Sequence, residues 1–287
     1  MAQLIDGNSI AAEVLEFTAA SARDLKLQGI DPHLAVLLVG EDPASLSYVK
    51  KKTQTAATYG LSSELISLPS TISQQDLDNI IDELNQKESV HGILVQMPLP
   101  AHLDAERIIS LIRPEKDVDG FHPLNLGQMF RSEAAEELAP CTPKGVVTIL
   151  QKVVSEFRGQ EVVIVGSSNL VGKPLAAMLT NRGATVTVCN SKTKDLKAHT
   201  IRADIVVVAV GRPGLLTGDM VKPGVVVIDV GINRVDGKLV GDVDFASVEP
   251  IAGFITPVPG GVGPMTVATL MHNVVIAAAN LAKMTKS

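Results

Sequence analysis

The chain has no tryptophan, two tyrosines and six phenylalanines, so aromatic residues make up only 3% of it. No basic stripe is interleaved with those few rings, and the formal net charge is −6. A nucleic-acid partner is therefore not expected. Only two cysteines occur, Cys141 and Cys189, in segments that look unrelated. They argue against a disulfide framework and fit a reducing cytoplasm. The six histidines are scattered, without an HxxxH or CxxC spacing, so no metal is expected. The opening MAQLIDGNSIAAEVLEF lacks a basic segment, which argues against a signal peptide. The apolar runs read as interrupted before the roughly 20 residues that a membrane span requires, so no membrane partner is expected either.

What is present is a 287-residue chain that is 46% hydrophobic, enough for two modest domains. Ser9 is placed to cap a helix carrying Ile10, Val14, Phe17 and Leu25, with Gly29 as its stop. HLAVLLV, His33 to Val39, reads as a buried strand. After the turn EDPA, the stretch SLSYVKKK (Ser45 to Lys52) should open a helix at the carboxyl end of that strand, where open α/β sheets place ligands. Leu61 to Leu68 reads as a second strand, Ser73 with Asp76 as a capping box before an apolar helix, and Gly92 to Gln96 as a third strand. That alternation predicts a parallel sheet with both faces covered. A short helix follows from Ala105 to Ile112, and periodicity fades between Leu124 and Pro140, where a domain crossover is expected.

Beyond the crossover, Thr142 and Pro143 suit the cap and first turn of a helix through Val154. EVVIV, Glu161 to Val165, runs into GSSNLVGKP, then a helix from Pro174 to Asn181 and the strand TVTVC. This is a βαβ opening of the Rossmann kind, although Gly166 and Gly172 do not make GxGxxG. The turn is either a phosphate cradle at a helix start or simply tight. ADIVVVAVG and VVVIDVGI supply further strands, and NRVDGKLVGDVD a surface hairpin around Asp236 and Gly237. FITPVPGGVGPMT reads as an irregular loop before an apolar helix from Val267 to Ala282 that returns to the first domain.

Several residues along this path carry possible chemistry. Tyr48 and Lys52, four apart, share a helix face, so the ring could pack a flat substrate against a proton-handling amine. The same pattern also suits a solvated basic face, and Lys50 to Lys52 make a local positive patch for a small anion. Gln96 ends its strand at the same sheet edge, where its amide either satisfies loop backbone or reaches the amine. Of Asp117 and Asp119, one could shape the turn before Gly120 while the other reads a ligand's paired donors. No acid follows the second Rossmann strand, where one would favour a free ribose 2′-hydroxyl; Ser191 and Lys192 could receive a 2′-phosphate instead.

VGEDPASLSYVKKK, GILVQMPLP, PEKDVDGFHPLNLG, PCTPKG, VGSSNLVGKP and TPVPGGVGPMT occur in this order across the whole chain. Together they resemble the bifunctional methylenetetrahydrofolate dehydrogenase/cyclohydrolase family. The resemblance implies an α/β protein of two domains with a cleft between them, no metal, and a homodimer paired through the nucleotide domains. The expected division is a three-layer α/β folate-binding catalytic domain over residues 1–121, completed by the C-terminal helix at about 267–287, and a Rossmann-like NAD(P)-binding domain over 140–266. The family's catalytic lysine falls on Lys52, its aromatic partner on Tyr48, its lysine-orienting amide on Gln96 and its pterin-binding carboxylate on Asp119. The folate-lining segment falls on Val258, Pro259, Gly260, Gly261 and Val262, and the cofactor contacts on Gly166, Ser167, Ser168, Ser191 and Ile232. The family pattern has arginine at Ser167 and histidine at Asn190, so a bidentate phosphate ligand is missing and NAD stays open beside NADP.

The implied activity is oxidation of 5,10-methylenetetrahydrofolate, then hydrolysis to 10-formyltetrahydrofolate with Lys52 moving the proton. A monofunctional NAD-dependent methylenetetrahydrofolate dehydrogenase is the alternative, against which Lys52 argues. Cys141 and Cys189 are expected to be buried small residues.

Overall fold

The computed structural model describes residues 1–285; Lys286 and Ser287, the end of the expected C-terminal stretch, lie outside the described residues. The chain divides into two compact α/β units. One holds Glu13–Gly127, Glu137–Cys141 and the chain from Val267 on; the other holds Met1–Ala12, Gln128–Glu136 and Thr142–Thr266.

The first unit is built on three parallel strands in the order Ser62–Leu68, His33–Val39, Gly92–Val95. Its central strand is a run of branched and aliphatic residues because both of its faces are covered. Ala35, Leu37 and Val39 pack with Ile93 and Val95 against Leu77, Ile81 and Leu84 of the helix Gln74–Gln86. Leu34, Val36 and Leu38, on the opposite face, are also buried. Ser73 caps the helix Gln74–Gln86, its Oγ accepting from Asp76 N at 3.1 Å; the Asp76 carboxylate answers by accepting from the Ser73 hydroxyl at 2.7 Å rather than from the Ser73 N–H, so the expected capping box is realised only in its first half. At the other end of that helix the buried Lys116 ammonium donates to the carbonyls of Leu84 (3.0 Å) and Lys87 (2.9 Å). Burial lowers its pKa to about 8.

The second unit is a six-stranded parallel sheet in the order Gln3–Leu4, Phe254–Ile255, Val226–Asp229, Ile205–Val208, Glu161–Val165, Thr185–Cys189. The Glu161–Val165 strand has its successor in sequence on one side and Ile205–Val208 on the other. The strand order therefore reverses there, and the loops leaving these two strands flank the switch point where such sheets take ligands. Asn233–Val235 and Lys238–Val240 form the expected antiparallel hairpin. Its turn residues, Asp236 and Gly237, have φ of 49° and 78°, as a tight hairpin requires.

Several boundaries differ from expectation. Asp6, not Ser9, caps the first helix, Gly7–Leu27, its carboxylate accepting from the N–H groups of Asn8 and Ser9. Residues 1–12, expected in the first domain, belong with the six-stranded sheet because Gln3–Leu4 pairs with Phe254–Ile255. Thr142 lies inside the helix Cys141–Val153 and bonds Thr266 through its hydroxyl at 2.9 Å, so it is not a cap. Pro123–Met129, within the expected crossover, is a short helix. The last helix begins at Val262 rather than Val267, since Pro264 falls in its first turn, where no N–H is needed. By length and composition alone Val262–Met284 would suffice to cross a membrane, contrary to the expectation of interrupted runs, but 67% of its apolar window is buried, as in a core helix.

Candidate active site

The helix Pro43–Thr58 starts where its sequence dictates. Asp42 accepts from Ser45 N at 2.8 Å, and Pro43 needs no donor in the first turn. Two turns on, Lys52 is turned inward and only 9% exposed, whereas Tyr48 is 45% exposed. Lys52 Nζ donates to Gln96 Oε1 at 3.0 Å, and Gln96 Nε2 donates to the carbonyl of Met97 at 2.7 Å. Both readings of Gln96 are thus realised together. The backbone carbonyl takes the amide nitrogen, which leaves the amide oxygen to face the amine.

Asp117 and Asp119 have separate roles. Asp117 accepts from Gly120 N (3.0 Å), His122 N (2.7 Å) and Asn125 Nδ2 (3.0 Å), so it shapes the turn. Asp119 keeps partial solvent access, yet burial among protein atoms raises its carboxyl pKa. The Lys52 charge is the first influence opposing that rise, and a hydrogen bond from Cys141 adds to it. Lys52, Gln96 and Asp119 therefore form one electrostatic cluster at the carboxyl edge of the three-stranded sheet. The Asp119 backbone is also restrained: Asn273, fully buried in the last helix, donates to the carbonyls of Val118 (3.0 Å) and Ala139 (3.2 Å). Neither Asn273 nor the Cys141 bond was legible beforehand, because both reach across more than a hundred residues or a domain crossover.

In the other unit the glycine turn is specified by close approach. Gly166 has φ 130°, and a Cβ on it would fall on the carbonyl oxygen of Ala209. A Cβ on Gly172 would fall on the carbonyl oxygen of Gly166. The helix Gly172–Asn181 that follows has no side-chain cap, and its start is closed by backbone instead: Lys173 N donates to the Ser168 carbonyl at 3.1 Å, Leu175 N to that of Val171 at 3.0 Å, and Pro174 has no N–H. Ser167 is half-buried and Ser168 exposed, with Ser168 Oγ accepting from Val171 N at 3.1 Å. Ser191 is exposed in a turn that Asn190 closes by accepting from Lys192 N at 2.9 Å. Ile232 is 47% exposed just past the Val226–Asp229 strand. Val258, Pro259, Gly260 and Gly261 lie in this unit, whereas Tyr48, Lys52, Gln96 and Asp119 lie in the other. Among the described residues, no group of three or more His, Cys, Asp or Glu side chains could hold a metal ion.

Comparison with known proteins matches both parts of this arrangement. The family described as tetrahydrofolate dehydrogenase/cyclohydrolase, catalytic domain, matches residues 5–119, and its NAD(P)-binding domain matches residues 140–282. The bifunctional protein FolD of Bordetella avium is 55% identical over 278 residues, covering 96% of this chain and 97% of that protein. The bifunctional methylenetetrahydrofolate dehydrogenase/cyclohydrolase of Campylobacter jejuni superposes with a TM-score of 0.94 at 48% identity, over 98% of this chain and 99% of that one. The Trypanosoma brucei enzyme, solved with NADP and an inhibitor, gives 0.93 at 37% identity over 98% and 99% of the two chains. Matched in both of its domains and along nearly its full length, the chain belongs to the tetrahydrofolate dehydrogenase/cyclohydrolase family.

Proposed function

We propose that this protein oxidises 5,10-methylenetetrahydrofolate to 5,10-methenyltetrahydrofolate with NADP+ and then hydrolyses that product to 10-formyltetrahydrofolate. The observation that carries the reading is the buried amine of Lys52 held 3.0 Å from an amide oxygen whose own orientation is fixed. Hydride transfer asks little of side chains beyond setting two rings face to face. Hydrolysis asks for a proton to move. Water adds to the bridging carbon of a delocalised cation and gives up one proton; the carbon–N5 bond then breaks with its electron pair going to N5, the hydroxyl becomes the formyl carbonyl on N10, and the hydroxyl proton ends on N5.

Lys52 takes the proton that the water gives up. Gln96 Oε1, 3.0 Å away, takes one N–H of the amine and so fixes where the nitrogen meets the added water. Gln96 aims its lone pair, and Tyr48 stacks on the folate. Asp119, when ionised, accepts from the pterin's N3–H and 2-amino group and so decides which face of the ring meets the hydride acceptor. The loop Val258 to Val262 lines the folate. Gly166, Ser167, Ser168, Ser191 and Ile232 contact the nucleotide. Residues 1–121, completed by the C-terminal helix at about 267–287, make the folate domain, and residues 140–266 the nucleotide domain, in a homodimer that works in the cytoplasm.

NADP is favoured over NAD because no acid follows the Thr185–Cys189 strand and Lys192 stands in the turn beyond it. Ser167 in place of arginine weakens that preference. One coupled assay tests both points: methylenetetrahydrofolate is supplied with NADP and, separately, NAD, while methenyl and formyl products are followed. Formyl product with a higher kcat/KM for NADP is expected. Accumulation of the methenyl compound as sole end product would overturn the bifunctional reading.

A further inference from the structure

Two carboxylates that the proposed chemistry leaves unused are buried at the carboxyl edge of the six-stranded sheet. Asp229 is 4% exposed and Asp242 is fully buried. Asp229 Oδ1 accepts from the N–H groups of Gly231 and Asp242, and Oδ2 from that of Val243, each at 2.9 Å. Asp242 Oδ2 accepts from Val210 N (2.7 Å) and Gly211 N (2.9 Å), while Oδ1 accepts from Asn233 Nδ2 at 2.8 Å. The packing leaves no slack, because a Cβ on Gly231 would fall on the Asp242 carboxyl and one on Gly241 on that of Asp229. Burial pushes Asp229 up to about 6 against the opposing pull of its N–H donors.

Burying two acids side by side costs stability, and apolar side chains would hold a loop more cheaply. What these acids provide is orientation. Val208 and Asp229 are register partners on neighbouring strands, so Val210 and Gly211 leave one strand while Gly231 to Asn233 leave the next. Asp242 ties the two exits together. With their N–H groups directed at Asp242, peptide planarity turns the carbonyls of Ala209 and Val210 the other way, and that of Ala209 lies against Gly166. A continuous set of contacts thus runs from the Gly166 turn to Asn233, next to Ile232.

We propose that Asp242, itself fixed by Asp229, is the positioning residue of the NAD(P) site, locking the loop after Val208 to the loop after Asp229 and so setting where Ile232 meets the cofactor. This inference rests on the reading of Ile232 as a cofactor contact. Geometry rather than charge is what Asp242 supplies. Its replacement by asparagine is therefore tolerated: the amide oxygen can still accept from Val210 and Gly211, and the amide nitrogen can donate to Asn233 once that side chain flips. At Asp229, where all three partners are N–H groups, an asparagine nitrogen would instead face a donor.

The test measures NADPH binding by the cofactor's own fluorescence, alongside cofactor-free hydrolysis of methenyltetrahydrofolate and the melting temperature. Asp242→Ala should weaken NADPH binding by at least about tenfold, leaving hydrolysis within about twofold of wild type, and Asp242→Asn should bind within about threefold of wild type. Asp229→Asn should resemble Asp242→Ala. Wild-type binding by Asp242→Ala would overturn the proposal. So would a loss in Asp242→Asn as large as that in Asp242→Ala, accompanied by an equal loss of hydrolysis, since that is what a purely structural residue would show. Should Asp242→Ala not fold, Asn233→Ala, which frees only Oδ1, should still weaken binding by about threefold; unchanged binding there also overturns it. Because binding is read without turnover, absence of dehydrogenase activity in the wild type would count against the proposed function and leave this inference to be decided by the affinities.

Discussion

Replacing Gly172 with alanine adds one methyl group where the backbone leaves no room for it. The new Cβ would fall on the carbonyl oxygen of Gly166, within 2.7 Å of that residue's carbonyl carbon and 3.1 Å of Ser167 Cα, whereas ordinary contact begins at 3.4 Å. All three neighbours are backbone atoms, so no side chain can swing aside and the turn must move by the better part of an ångström. Two effects compete. Alanine is the better helix former by roughly 0.5–1 kcal/mol, and overpacking against rigid backbone costs roughly 1–3 kcal/mol. The clash wins by about 1–2 kcal/mol, which for a unit of this size lowers the melting temperature by several degrees, roughly 3–8 °C. The functional consequence is sharper than the thermal one. The atoms displaced belong to the Gly166–Ser167 turn proposed to contact the nucleotide, and Lys52, Gln96 and Asp119 belong to the other unit. Steady-state dehydrogenase kinetics should therefore show a raised KM for NADP, about tenfold, while hydrolysis of supplied methenyltetrahydrofolate stays near wild type. An unchanged KM with an unchanged melting temperature would refute the reasoning, as would a variant that loses hydrolysis and keeps its affinity for NADP.

Gln96→Leu deletes the acceptor that faces Lys52 and should cut methenyltetrahydrofolate hydrolysis by about tenfold, as expected when the one hydrogen bond that aims the amine's lone pair is lost; a KM effect without loss of kcat would assign Gln96 to binding instead. Ser73→Ala removes both bonds of the Ser73 hydroxyl, the cap to Asp76 N and the bond to the Asp76 carboxylate, and should destabilise the protein by about 1 kcal/mol in urea unfolding, with activity unchanged. Lys116 holds its proton less tightly folded than unfolded, with a folded pKa of about 8 against an ordinary 10.5. Between those values the unfolded chain carries a proton that the folded one has lost, so stability rises with pH across that window and is flat below it with respect to this group. The rise should be about 1–2 kcal/mol, less than the full shift converts to, because the Leu84 and Lys87 carbonyls favour the ammonium. Melting curves of wild type and Lys116→Met between pH 7 and 11 should show this slope in the wild type only.

Much of the architecture was legible because its elements are local and strongly patterned. His33–Val39, Glu161–Val165 and Thr185–Cys189 were read with the bounds they have, since uninterrupted branched residues bounded by turns leave few alternatives. The hairpin was legible from Asp236-Gly237, and the helix cap from Ser73. Gln3–Leu4 was not, because two residues have no period and their partner strand is some 250 positions away. The start of the last helix is not legible, because Pro and Gly ordinarily mark a loop and this helix begins among them. Within the site, the Lys52–Gln96 bond was foreseeable from two residues at one sheet edge. The Asp229 and Asp242 contacts are not legible in the sequence. Their only signal was an acid ending each of two apolar runs, VVVIDVG and KLVGDVD, where a surface loop residue is the commoner occupant.

The central claim concerns the amine at position 52 and is tested most directly by Lys52→Met, which keeps the apolar stem and removes the nitrogen. Purified variant and wild type are compared for hydrolysis of methenyltetrahydrofolate and, separately, for folate affinity by titration. Loss of hydrolysis with folate affinity retained is the expected result. Hydrolysis at the wild-type rate would contradict the account.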